Sequence, residues 1–196
     1  MNYLAHLYLS GNDPILMIGN FIADHVKGKQ LQLYGKQIQN GILLHRKIDS
    51  FTDHHSLVEE SKQLLRPVFH KYASVIVDVF YDHFLARDWN QYHRQPLSVF
   101  VASAYKLMEE NSSILPQRTV LMLGYMKKYN WLESYASIDG IGNALTGMSH
   151  RTKFESGMEH APEFFVQHYK LFEKHFMIFF KELENFVSNE RKNLQA

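Results

Sequence analysis

The segment Gln39–His55, QNGILLHRKIDSFTDHH, decides how the rest of the chain is read. His45 and Asp49 stand four residues apart, and Asp53 follows four further on. On an α-helix that spacing stacks side chains along one face. Ile38, Ile42 and Ile48 belong to the same helix, so the face turns at least partly toward a core. An imidazole and a carboxylate held together beside a core suit a metal site or an acid/base pair. The competing reading is an ordinary His–Asp ion pair on a solvated helix.

Outward from this helix, predicted over Gly35 to Phe51, the pattern stays helical. Asp13-Pro14 is a helix start, with Asp as N-cap and Pro at the first helical position. The helix that follows carries Asn20 and Asp24 four residues apart and stops near Gly28. Downstream, Ser56 and Glu59 form a capping box for a helix expected to end before Pro67. A further helix is expected from Val68 to about Trp89, holding Asp78, Asp82 and His83. Pro96 and Pro116 open two more, through Glu110 and Tyr129, and a Gly-rich helical piece ends near His150. From Pro162 one last helix is expected to continue past Phe186. There Phe165, Tyr169, Phe172, Phe176, Phe179, Leu183 and Phe186 recur at steps of three and four. Its tail from Ser188 is expected to fray. With no convincing strand, repeat or linker, the 196 residues read as one all-α, single-domain helical bundle.

Composition narrows the function. The chain is 45% hydrophobic and 14% aromatic, which argues against disorder. Lys+Arg 21 against Asp+Glu 20 gives a net charge of +1, so bulk charge does not advertise nucleic-acid binding. Zero Cys excludes disulfides, thiolate metal sites and Cys nucleophiles, and fits a reducing cytoplasm. The N-terminus lacks the pattern of a signal peptide, and no run is apolar enough to span a bilayer. The expectation is a soluble, cytoplasmic protein with no membrane or nucleic-acid partner. No phosphate-binding loop, dinucleotide-binding glycine pattern or G-x-S-x-G element occurs.

Four pieces each carry a polar pair where the local pattern is otherwise apolar: Asn2/His6, Asn20/Asp24, His45/Asp49 and Asp78/Asp82, the last followed by His83. Such repetition suggests helices converging on a common centre, as metal sites in bundles do. Buried carboxylates are costly unless paired or metal-bound, so a shared cation would explain them. Oxygen and imidazole donors without thiolate suit Mn²⁺, Mg²⁺ or Fe²⁺ as readily as Zn²⁺. Each residue also has a plainer reading. His6 fits a core-edge histidine, Asp24 a partner for Lys27 or Lys29, and Asp53 a cap for the next helix. His54, His55, His70 and His93 read as surface residues.

The blocks MNYLAHLYLS, GNFIADHVKG from Gly19, GILLHRKIDSFTD from Gly41, DVFYDHFLARDW from Asp78 and NALTGMSHR resemble the acyl-carrier-protein phosphodiesterase family, almost end to end. The resemblance implies a helical, distantly HD-domain-like protein with a divalent metal, Mn²⁺ foremost. It also implies hydrolysis of the phosphodiester joining 4′-phosphopantetheine to a serine of holo acyl carrier protein, an acidic partner. The matching positions are Asn2, His6, Asn20, Asp24, His45, Arg46, Asp49, Asp78, Asp82, His83 and Arg151. Ordinary HD enzymes order their ligands differently, so their assignments do not transfer directly. On this reading Asp24, His45, Asp49 and Asp82 are expected as the metal shell. His83 or His6 would supply a proton to the leaving group, Arg46 and Arg151 would neutralise phosphate oxygens, and Asn20 would contact substrate. A nucleotide-directed HD-like phosphohydrolase and a non-catalytic helical binding module are the alternatives.

Overall fold

The computed structural model describes residues 1–195. Twelve α-helices account for most of them, joined by short 3₁₀ turns, and no strand occurs among the described residues. In chain order these are α1 (Tyr3–Leu9), α2 (Pro14–Ile22), α3 (Lys36–His54), α4 (Ser56–Phe69), α5 (Ala73–Arg87), α6 (Trp89–Tyr92), α7 (Leu97–Glu110), α8 (Gln117–Lys128), α9 (Trp131–Ser134), α10 (Ile138–Ser149), α11 (Ala161–Gln167) and α12 (Tyr169–Gln195). The all-α expectation holds. No described helix is long and apolar enough to cross a membrane.

Two glycines fix the crossing that builds the site. A Cβ on Gly19 of α2 would lie 2.2 Å from the Ile38 carbonyl oxygen, and one on Gly41 of α3 would lie 2.3 Å from that of Leu16. Only hydrogen at both positions lets the two backbones come this close. Asn20, next to Gly19, is thereby pressed against the face of α3 that carries His45. The start of α2 follows its sequence signal, because Asp13 Oδ1 accepts from the Ile15 and Leu16 amides at 3.0 Å each.

α12 lies along α3, α4 and α5. The Phe periodicity of the last helices supplies the core: the Phe80 and Phe165 rings stack at 4.1 Å, and Phe84 and Phe176 at 5.6 Å. Phe165, Phe172, Phe176, Phe179 and Leu183 are all buried. Each such side chain contributes about 1.5–3 kcal/mol on burial.

Several boundaries depart from the sequence reading. The cap of α4 is His55, whose Nδ1 accepts from the Leu57 amide, so neither Ser56 nor Asp53 caps it. α4 continues through Pro67 to Phe69, because buried Phe69 packs edge-on against Phe164 and anchors the last turn. His70 then takes a left-handed φ of 50° and ends the helix. The last helix is two: His168 interrupts it, its amide shared between the Phe164 and Phe165 carbonyls. The tail does not fray. α12 runs to Gln195, with Glu190 paired to Lys47 and the Leu194 carbonyl accepting from Asn40 at 3.1 Å. Ala196, also expected to fray, lies outside the described residues.

Candidate metal centre

His45 and Asp49 share one face of α3, beside fully buried Ile42 and Ile48. α1 brings His6 onto this face, and the two imidazole rings stack with centroids 3.9 Å apart and an 18° angle between planes. α2 brings Asn20, and the 3₁₀ turn that ends it (Ala23–His25) brings Asp24. The resulting contacts are tight. His6 Nε2 lies 3.1 Å from Asp49 Oδ1, while His45 Nε2 lies 3.0 Å from Asp49 Oδ2 and 3.3 Å from Asp24 Oδ1.

The proton positions follow from Asn20. Its Nδ2 donates to the His6 carbonyl at 2.8 Å and to Ser10 Oγ at 3.0 Å, which fixes the amide orientation. Its Oδ1 therefore faces both rings, 2.9 Å from His6 Nδ1 and 3.1 Å from His45 Nδ1. An amide oxygen can only accept, so both Nδ1 atoms carry hydrogen. In a neutral ring Nε2 is then a bare lone pair, and both Nε2 atoms point at carboxylate oxygens. Lone pair against carboxylate is repulsive unless something positive sits between them.

Protonation resolves only half of this conflict. Burial opposes charge on His45, yet hydrogen bonds to Asp24 and Asp49, and their charges, raise its pKa to about 9. Burial and the neighbouring His45 push His6 the other way, down to about 4. Burial works against the charge on Asp49 too, but the hydrogen bond and charge of His45 hold it well below the usual carboxylate range. The hydrogen bond from His45 likewise lowers Asp24. At neutral pH the cluster thus holds one imidazolium, one neutral imidazole and two carboxylates.

Asp24, His45 and Asp49 open into a cleft of about 360 Å³ that is also lined by Met1, Tyr3, Asp53, Asp78 and Met148, with His6 buried behind them. The Met1 amine lies 3.0 Å from Asp78 Oδ1, and burial raises the Asp78 carboxyl against that ammonium's pull. Asp53 pairs at 2.8 Å with Lys62, a lysine only 5% exposed. The donor set fits a hard divalent cation. Atoms of His6, His45 and Asp49 lie within 4.8 Å of one another, with Asp24 within reach of His45.

Several sequence expectations need correction. Asp82 does not join the cluster. Its oxygens accept from the Leu4 and Ala5 amides at 2.8 and 3.3 Å, capping α1 from across the core, and burial raises its pKa to about 7. His83 offers no free nitrogen for proton transfer: Nδ1 bonds to the Tyr135 carbonyl at 2.8 Å and Nε2 to the Tyr169 hydroxyl at 2.9 Å. Asn20 is fully buried, with its amide bonded to His6, His45 and Ser10 and none of it facing the cleft. His6 stands among the ligand atoms, its Nε2 turned to Asp49. Arg46 is exposed and donates to the Val26 carbonyl at 3.1 Å. Arg151 is exposed just past the end of α10, over the Trp131 ring. The sequence reading placed neither Asp78 in the metal shell nor Lys62 anywhere. The i, i+4 pair with Asp82 and its place among the family-matching positions were the signals for Asp78. Lys62 carries none, because its partner sits on the preceding helix.

Comparison with known proteins agrees with the blocks quoted above. The model of the family described as acyl carrier protein phosphodiesterase matches residues 1–183. A protein of Enterobacter sp. (strain 638) named acyl carrier protein phosphodiesterase is 34% identical over 93% of this chain and 95% of its own. Relatives with the same name from Salmonella agona and Pectobacterium atrosepticum are 33% and 31% identical, the latter over 97% of this chain and all of its own length. No solved structure matches the chain. The chain belongs to the acyl carrier protein phosphodiesterase family.

Proposed function

We propose that this protein hydrolyses the phosphodiester between 4′-phosphopantetheine and the carrier serine of holo acyl carrier protein, with a divalent cation, Mn²⁺ foremost, held by His6, His45, Asp24 and Asp49. The observation that carries the reading is the pair of imidazole Nε2 atoms aimed at carboxylate oxygens, only one of which protonation satisfies at neutral pH. A cation between them turns four conflicting donors into a shell. A divalent ion there supplies Lewis acidity toward phosphate oxygen and acidifies water, the chemistry phosphodiester hydrolysis needs. The distant relation to HD-domain phosphohydrolases belongs to the same reading.

The chain's own groups divide the remaining work. Asn20 holds both rings by their Nδ1–H groups, so that each turns Nε2 toward the Asp49 carboxylate. Asp49 bridges the two rings and orients both. Asp78 is half-buried at the cleft with a raised pKa, which suits it to hold a proton for the leaving serine oxygen. Arg46, exposed and next to His45 in the chain, would meet the phosphate of a docked carrier protein. Lys27 and Lys29 are exposed just after Asp24, giving an acidic carrier protein a basic approach to the cleft.

The test is mass spectrometry of holo carrier protein incubated with enzyme and Mn²⁺. Loss of the phosphopantetheine mass from the carrier, with the free prosthetic group appearing alongside, is expected. An unchanged carrier would refute the reading.

A further inference from the structure

The cluster cleft lies on one side of α10, where Met148 lines it. On the other side a second cleft of about 680 Å³ opens between α8, α9 and α10, within the 300–1,000 Å³ usual for small-molecule sites. Its walls include Tyr125, Tyr129, Trp131, Asn143, Thr146 and Gly147, with Arg151 at its edge. Tyr125 and Tyr129 are each 57% exposed, a large aromatic surface left uncovered.

The two clefts differ in charge. Asp24, Asp49, Asp53 and Asp78 line the first, whereas no carboxylate lines the second. The Asn143 and Thr146 side chains make no hydrogen bond among the described residues, so each is available to a ligand amide. Arg151 edges the second cleft, its guanidinium 5.5 Å over the Trp131 ring, and its charge reaches the Tyr3 phenol. Tyr3 itself lines the first cleft. A ligand whose charge is confined to one end matches this sequence of surfaces.

We propose that the Tyr125–Trp131–Gly147 cleft binds the uncharged, amide-bearing pantetheine arm of the substrate while its phosphate lies at the His6–His45–Asp49 cluster, with Arg151 at the junction. This rests on the phosphodiesterase reading and adds a specificity subsite to it. The aromatic faces pack the branched aliphatic part and the amide planes, and the unpaired Asn143 and Thr146 groups supply orientation. Such a subsite makes the enzyme select for the arm and not only for the carrier protein.

Gly147 offers a clean test, because a Cβ there meets nothing within 4 Å and projects into open space. Gly147→Phe fills the cleft, while Gly147→Ala leaves most of it open, and circular dichroism checks that both fold. The probe is pantetheine without phosphate, titrated calorimetrically into chelated protein, with Trp131 emission as a second readout. Binding to the wild type is expected, nearly unchanged in Gly147→Ala and weakened at least about tenfold in Gly147→Phe. With holo carrier protein, Gly147→Phe should raise KM by a similar factor and change kcat far less. No binding to the wild type, or equal binding to Gly147→Phe, overturns the proposal. Displacement of Trp131 emission by apo carrier protein but not by pantetheine also overturns it, in favour of a protein-docking face. Arm binding as expected without hydrolysis of holo carrier would uphold this subsite and refute the phosphodiesterase reading instead.

Discussion

His45 and His83 look alike in the sequence, each on a buried helix near an aspartate, yet the fold treats them in opposite ways. His83 is complete. It bonds to the Tyr135 carbonyl through one nitrogen and to the Tyr169 hydroxyl through the other, and burial lowers its pKa toward a settled neutral ring. A hydroxyl donates or accepts as needed, so nothing positive is missing there. His45 and its neighbour His6 are incomplete, because Asn20 uses both Nδ1–H groups and turns both Nε2 atoms to Asp49 and Asp24, where only His45 is protonated at neutral pH. A polar network closed with hydroxyls and carbonyls is structural, whereas one closed with an amide oxygen against carboxylates leaves room for a cation.

The sharpest way to break this contrast is Asp49→Asn, which keeps the shape and removes the charge both rings face. Hydrolysis of holo carrier protein should fall about a hundredfold, with bound metal lost and the helical signal retained. Asn20→Ala comes next. It frees both rings to turn, so activity should fall about 10–100-fold, and two orphaned ring N–H groups should cost about 1–3 kcal/mol in denaturant unfolding.

Protons and metal compete for the same position. Because His45 titrates near pH 9, a cation must displace its proton at neutral pH. Metal affinity measured by titration should therefore tighten about tenfold per pH unit up to about pH 9. The raised pKa also fixes the sign for the metal-free fold. Stability from protonated His45 is fully present below about pH 6.5 and lost as pH rises through about 9. Burial raises Asp82 to about 7, so stability falls in the same direction across the lower window, from about pH 4 to 7. The lowered His6 opposes Asp82 between about pH 4 and 6.5, so thermal melting of chelated protein should drop with rising pH from about 6.5 to 9, where His45 titrates.

A smaller effect concerns the approach of the partner. Reversing Lys27 and Lys29 to Glu should lower kcat/KM several-fold and flatten its salt dependence, leaving kcat nearly unchanged, since exposed charges act over about 8 Å at physiological ionic strength. The smallest activity effect belongs to the closed site. His83→Phe should leave kcat/KM within about threefold of wild type, while the stranded Tyr135 carbonyl and Tyr169 hydroxyl cost about 1–3 kcal/mol of stability. A large activity loss there would erase the distinction between the two histidines.

The sequence exposed one of these two sites well and misread the other. Spacing of four on one helix put His45 and Asp49 together, and the recurrence of such pairs brought in His6, Asn20 and Asp24. The α-helical class was equally plain from the 3- and 4-residue steps of Phe172, Phe176, Phe179 and Leu183. Asp82 and His83 were misread because spacing reports which face a residue shares and not what lies across from it. Asp82 meets the amide end of α1, 77 and 78 residues away in the chain, and His83 meets a carbonyl and a phenol on other helices. The role of Asn20 was hidden for a related reason: its position depends on the Gly19–Gly41 contact, and two glycines in sequence do not announce a close crossing. The end of α4 beyond Pro67 likewise follows from the tertiary anchor of Phe69.

The central claim is that the His6–His45–Asp24–Asp49 cluster is completed by a cation that the reaction requires. Its most direct test is turnover of holo carrier protein by enzyme stripped with chelator and verified metal-free, followed by stepwise addition of Mn²⁺. The account expects no release of phosphopantetheine from the stripped enzyme, with activity returning as metal is added and about one proton leaving per ion bound at neutral pH. Full turnover by the verified metal-free protein would contradict it.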